Sequence, residues 1–359
     1  MSDYVVAVDA GNGFTNAVRA KSRGYDSIGF PSVRASVSGD SLGLGEQFEM
    51  DIDYVQWGNF RYAVGDEVFN SRRAIERHQG AFRYGDEFWL FLVSVALGKL
   101  LPKKGGSVDL TVFAPPAMFF DAKTGINARM EKIENQIDVQ FKDDKKPRIF
   151  KIDKLTVHPE GLGAVGAFAL DDDGNPVDSN VLDGQTVVLD AGMYTLDALA
   201  MQDGQFNPES LQSATWEGQG IKAHILDNVL RVVKKNGDDF SLLTTDDVDQ
   251  AMRKGLETGD YTLTSGASAV DIEPAVQKFS ERYADWISNN IVDGVFNGLR
   301  GIKSLIVVGG GATLTSPYLK RYYTDKLLDA SEHKHVKNVR PTELNAVGGI
   351  RFALARQTT

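Results

Sequence analysis

No cysteine occurs in the 359 residues, which excludes disulfides and thiolate-zinc sites and suits a reducing compartment. Basic residues are also in deficit, with 39 Lys and Arg against 49 Asp and Glu and a formal net charge of -10. A chain this acidic is not expected to present a uniform basic face to nucleic acid, so any such partner needs an adaptor. Histidine is scarce, and the close pair His333 and His335 lacks the neighbouring carboxylate cluster that a metal site needs. Long apolar runs are missing too. The stretch "FWLFLVSVALGKLL" at 88–101 contains Lys99 and is shorter than the about 20 residues of a membrane span, so it reads as a buried helix. Asp3 and the absence of a basic flank do not read as a secretion signal. Neither a "GxxxxGK" loop nor a Ser-His-Asp spacing is present, which leaves P-loop ATPases and hydrolase triads unsupported. The expectation is a cytoplasmic protein with no membrane partner.

What the chain does have is hydrophobic content, 42% of its residues, enough for a substantial core. Chains beyond about 250 to 300 residues usually divide into domains, so two are expected. The segment "VVAVDAGNGFTNA" at 5–17 reads as a buried strand, a glycine turn and a second strand. Close to half a chain later, "TVVLDAGMYTLDALAM" at 186–201 repeats the pattern of strand, Asp, Ala, Gly, irregular turn and Thr. A duplicated domain with two facing turns explains the echo economically. A third glycine turn, "SLIVVGGGATL" at 304–314, follows another buried strand, and the residues after it read as a helix capped by Ser316 with Pro317 at its first position. "TGINARMEKIENQIDVQF" reads as one helix carrying Ile126, Met130, Ile133 and Ile137, and "RRAIER" at 72–77 as a helical surface. "PTELNAVGGIRFALARQ" reads as a closing helix begun near Thr342, with Gly348 and Gly349 permitting close packing.

Alone, each turn reads first as an ordinary hairpin, since Gly, Asn and Asp favour tight turns. Together they suggest a clamp. Backbone N–H groups of glycine turns can cradle phosphate. Acids beside a polyphosphate are repulsive unless a cation intervenes, and magnesium prefers few carboxylates, retained waters and substrate phosphates. Asp9 and Asp190 fit that role, acting through water.

These residues carry a resemblance. The three turns are similar to the phosphate 1, phosphate 2 and adenosine motifs of the actin, Hsp70 and sugar-kinase superfamily, in that family's order. Within it the chain most resembles the bacterial ParM-like actins, through "DAGNGFTNA", "WGNFRYAVGDEVF" at 57–69 and "VFAPPAMFF". The resemblance implies an α/β fold of two actin-like (ribonuclease H-like) domains with mixed five-stranded sheets flanking a nucleotide cleft. The domains would be 1–180, with a subdomain at about 31–84, and 181–359, with a subdomain at about 221–300. It implies ATP, with GTP the other candidate, and Mg2+. Phosphate and nucleoside contacts would come from Asp9, Gly11, Asn12, Gly13, Phe14, Thr15 and Asn16 in the first turn, and from Gly192, Met193, Tyr194 and Thr195 in the second. Gly218, Gly309, Gly310, Gly311 and Ala312 complete that set. Glu160, in "VHPEGLGAVGAFAL", would orient the attacking water together with Asp190. Its other reading is a helix acid stabilised by the helix dipole. The chain departs from the family at Met193, where a second consecutive glycine is common.

The function so implied is a filament-forming ATPase, partnered by further copies of itself and a DNA-binding adaptor, that moves plasmid or phage DNA. The alternatives are a small-molecule kinase of the same superfamily and a nucleotide-sensing scaffold that does not polymerise.

Overall fold

The computed structural model describes residues 2–37, 53–70, 74–78, 83–206, 214–235 and 237–358. Its first sheet contains nine strands: β1 (Tyr4–Ala10), β2 (Phe14–Ala20), β3 (Tyr25–Pro31), β4 (Arg34–Ser36), β5 (Val55–Trp57), β6 (Phe60–Val64), β7 (Gly106–Ala114), β8 (Gln136–Phe141) and β9 (Arg148–Pro159). They run in the spatial order β3-β2-β1-β7-β9-β8-β5-β6-β4. The second sheet is built on β10 (Gln185–Ala191), β11 (Thr195–Gln202), β12 (Gln205–Phe206), β13 (Ala214–Glu217), β16 (Ile302–Val308) and β17 (Leu327–Leu328), and β14 (Thr262–Ser265) pairs with β15 (Ser268–Asp271) apart from it. The helices are α1 (Glu67–Asn70), α2 (Glu87–Leu100), α3 (Phe119–Lys132), α4 (Leu162–Ala169), α5 (Asp227–Lys234), α6 (Thr245–Thr258), α7 (Glu273–Trp286), α8 (Gly310–Tyr323) and α9 (Leu344–Thr358). None of the described helices is long and apolar enough to cross a membrane.

The sheets are mixed, as expected, but larger than five strands. Five strands, β3-β2-β1-β7-β9, form the mixed part of the first sheet at one end of that order, and the pairing of β9 with β8 carries hydrogen bonding onward into the smaller strands. The echo in the sequence is an echo in topology. β1 pairs antiparallel with β2 and parallel with β7, while β10 pairs antiparallel with β11 and parallel with β16.

Each sheet has its own core, and a third core joins them. α2, almost wholly apolar, buries Phe88, Trp89, Phe91 and Leu92 against the first sheet, each contributing about 1.5 to 3 kcal/mol. Its start is fixed by Asp86, whose side chain accepts from Trp89 N at 2.7 Å. Between the sheets, α4 and α9 pack against Ala7, Val188 and Ile306. Their contact depends on missing side chains: a Cβ on Gly348 would lie 1.6 Å from the Gly163 carbonyl oxygen, so the two helix backbones touch there.

Three local expectations are corrected. α3 stops at Lys132 because Glu134 and Asn135 both turn to positive φ, which places Ile137 on β8 rather than on the helix. α8 starts at Gly310, after Gly309 at φ 82°, and Pro317 lies inside it rather than at its first position. A Cβ on Gly311 would meet Ala191 Cβ at 2.6 Å, so docking against the second turn sets the helix start ahead of the Ser-Pro pair. Residues 74–78 are not helical; Arg72 and Arg73 of "RRAIER" lie outside the described residues.

Candidate functional site

Three strands end at one place. β1 ends beside Asp9 and β10 beside Asp190, and Glu160 directly follows β9, with its N–H donating to the Ala114 carbonyl at the end of β7. These ends open on a cavity of about 370 Å3 lined from both sheets, a volume suited to a small molecule. Of the residues singled out in the sequence, Asp9, Gly11, Asn12, Gly13, Phe14 and Asn16 line it from the first turn. Asp190, Gly192, Met193 and Thr195 line it from the second, Gly309 and Gly310 from the third, and Glu160 from between.

Five others stand elsewhere. Thr15 is buried behind the first turn, its hydroxyl 2.9 Å from Ser32 Oγ. Gly311 and Ala312 are covered inside α8 and Tyr194 faces a small neighbouring hollow. Gly218 is not among the lining residues either; its N–H donates to the Tyr194 carbonyl at 2.9 Å. The register explains Thr15. Asp9 pairs with Asn16 and Asp190 with Asp197, so Phe14 occupies the place of Thr195, and Thr15 points to the other face of its strand.

The two turns touch. A Cβ on Gly13 would lie 2.3 Å from Met193 Cβ, and one on Gly220 would lie 2.5 Å from the Met193 backbone. The methionine is thus accommodated by glycines on both sides of it.

Other cavity residues were not signalled by motif. α6 presents Asp249, Met252, Arg253, Leu256 and Glu257 at three- and four-residue steps; its capping box, Thr244 with Asp247, and its stop at Gly259 were the available cues. Tyr84, Asp197, Thr313, the run Arg340 to Thr342 and Asn345 also line the cavity. Tyr84 donates its hydroxyl to Glu160 Oε1 at 2.7 Å. Arg83, buried alongside, donates to the Ala10 carbonyl.

The site carries more negative charge than it balances. Burial, then the Asp9 charge, pushes the Glu160 carboxyl up to about 7. Burial pushes Asp9 up to about 6, against the Asn345 hydrogen bond and Arg83, which favour its charged form. Asp197 is pushed up to about 7 by burial and then Glu160, and Asp190 well above the ordinary range by burial and three neighbouring acids. Because these acids hold protons in the fold that the unfolded chain releases, their contribution to stability is full below about pH 4 and is lost as pH rises to about 7. The ligand-free protein is therefore expected to melt roughly 5 °C lower at pH 8 than at pH 5, by scanning fluorimetry. A melting temperature that rises over this interval would mean that the carboxylates are already compensated.

Ion pairs cross the cavity mouth. Arg77 Nη2 meets Asp246 at 2.6 Å, and Arg253 reaches Asp66 at 3.2 Å as well as Asp249 on its own helix at 3.0 Å. Removing both crossings, with Asp66→Ala and Asp246→Ala, is expected to speed ligand release about threefold, with the difference shrinking at high salt. Stopped-flow displacement of a fluorescent nucleotide would measure it.

Residues 7–163 match the family model for the N-terminal domain of actin-like proteins. Solved structures match over nearly the whole length. An archaeal actin homologue in complex with ADP is 20% identical, with 99% of this chain and 100% of that one covered and a TM-score of 0.71. ParM of Bacillus thuringiensis with ATP is 17% identical, with 99% of each chain covered and a TM-score of 0.71. A 15-stranded ParM filament from Clostridium botulinum is 20% identical, with 99% and 100% covered and a TM-score of 0.70. At such identities the likeness is one of fold. No curated protein sequence matches.

Proposed function

The chain has the fold of the ParM-type actin-like proteins, with the actin-like N-terminal domain matched over residues 7–163, and from that premise we propose that it is a magnesium-dependent ATPase that assembles into filaments. The observation that carries this reading is the meeting of two Asp-Ala-Gly turns and a third glycine turn around one cavity whose buried acids outnumber the arginines beside them. The glycine turns offer N–H donors to phosphates, and the start of α8 at Gly310 adds a helix N-terminus. The adenosine would meet the third turn at Gly309 and Gly310, as the resemblance implies, with the α6 face and the run Arg340 to Thr342 beside it in the same cavity.

The donor set fits magnesium held through water rather than a protein cage. Among the described residues no three carboxylate or histidine side chains converge to hold a metal directly, while Asp9 and Asp190 both approach a single side chain, Asn345. Asp9 and Asp190 would hold the ion, which supplies positive charge to the phosphates. Glu160 orients the attacking water towards the terminal phosphate, one of its oxygens being held by Tyr84. In this reading the protein is cytoplasmic, its filaments push or pull plasmid or phage DNA, and a separate DNA-binding adaptor links them. The reading keeps the two actin-like domains at 1–180 and 181–359.

Calorimetric titration with Mg-ATP and Mg-GTP tests the site. Saturable binding of one of them, abolished by Asp190→Ala, is the expected result. Heats indistinguishable from dilution for both would remove the nucleotide reading.

A further inference from the structure

The chemistry just described gives Asn345 no step of its own, yet its carboxamide bonds to three other segments. Its Nδ2 donates to Asp9 Oδ2 at 3.2 Å and to Asp190 Oδ2 at 3.0 Å. Its Oδ1 accepts from Gly161 N at 3.0 Å, next to Glu160. The orientation of the amide is dictated by its partners, because the Gly161 N–H needs an oxygen and the two carboxylates need N–H groups. The side chain is 3% exposed. Its backbone cannot retreat, since a Cβ on Gly163 would stand only 2.2 Å from the Asn345 carbonyl oxygen. Asp9 belongs to the first sheet and Asp190 to the second, so one planar group bonds to both halves of the cleft at once.

We propose that Asn345 is a positioning residue, a strut that fixes the separation of Asp9 and Asp190 and so holds the two halves of the cleft in register before any ligand arrives. Asparagine suits the task chemically. A primary amide carries two N–H donors on one nitrogen, so it can give one to each carboxylate while its oxygen takes the Gly161 N–H. Leucine fills the volume and offers neither. Aspartate keeps an oxygen for Gly161 but presents acceptors to two carboxylates, replacing two attractions with repulsion. The effect on ligand binding rests on the nucleotide reading above; the effect on the cleft itself does not.

That contrast separates a strut from a merely structural asparagine. If Asn345 served only to pack and to hold Gly161, Asn345→Asp would be the milder change and Asn345→Ala the harsher. A strut demands the reverse order. The absence of cysteine allows two labels to be placed cleanly, at Asn59→Cys beside β6 and Ser241→Cys ahead of α6, both exposed. The spin-label distance is then read in the ligand-free protein by pulsed electron resonance, and Mg-ATP affinity by calorimetry. Asn345→Asp should shift the distances to longer values and broaden them, with Asn345→Ala between it and the parent. Affinity should fall about tenfold in the alanine variant and further in the aspartate variant. Parent-like distances in Asn345→Asp, with Asn345→Ala the more disturbed, would overturn the proposal. If the aspartate variant does not fold, the alanine variant decides alone: unchanged distances and affinity would overturn the strut. If the parent binds no nucleotide, the functional reading fails while the distances still decide the role of Asn345.

Discussion

Glu160→Ala is expected to lower nucleotide hydrolysis by about 100-fold, the range for a positioned acid or base, while Mg-ATP binds as well as before or more tightly. Glu160 is buried, just after β9, at the level where both aspartates face the cavity. It has one oxygen engaged by Tyr84 and a carboxyl raised to about 7 by burial and by Asp9. Such a group can take a proton from water near neutral pH, and its other oxygen is free to orient that water. In the proposed site binding rests on the glycine turns, on α6 and on the magnesium given to Asp9 and Asp190, which the substitution leaves alone, and removing the Glu160 charge from a site with excess negative charge does not weaken phosphate binding. Glu160→Gln, which keeps the shape and an oxygen for Tyr84, should lose hydrolysis to the same extent. Phosphate release under saturating nucleotide, paired with calorimetric affinity, separates the two effects. Undiminished hydrolysis would take Glu160 out of the mechanism.

The second large effect is expected at Gly13. With a Cβ there only 2.3 Å from Met193 Cβ and 2.9 Å from Met193 Cγ, Gly13→Val has to drive the two turns apart. Overpacking of this kind costs about 1 to 3 kcal/mol, which is about 5- to 150-fold in nucleotide affinity when the turns must face one ligand. The clash is with a side chain, so it has a specific remedy. Met193→Gly alone should be mild, and Gly13→Val with Met193→Gly should recover most of the lost affinity. If the second change restores nothing, the contact between the turns is not what limits binding.

That pair of residues also shows what the sequence could and could not reveal. Met193 stood out as a departure where a second glycine is common, but the glycine that makes room for it is Gly13, in the opposite turn, together with Gly220. Short-range patterns were legible because they follow from local physics: strands ending in Asp-Ala-Gly, the apolar α2, and the closing helix with its paired glycines. The start of α8 was misread because Ser316 and Pro317 mimic a helix entry, whereas the true entry is fixed by packing of Gly311 on Ala191. Thr15 was paired with Thr195 by spacing alone, and only the strand register shows that Phe14 holds the matching place. Asn345 carries no local signal, and the caps of α6 mark a helix without marking which of its faces meets the cavity. Their roles arise where residues far apart in the chain converge.

As proposed, the protein is a nucleotide-gated polymer, and sedimentation at high concentration with and without Mg-ATP is the decisive measurement. The protein is expected to pellet with Mg-ATP, to stay in the supernatant without nucleotide, and to remain in the supernatant as Gly13→Val under both conditions. Parent protein that stays in the supernatant with Mg-ATP, across the concentrations at which it binds the nucleotide, would contradict that reading.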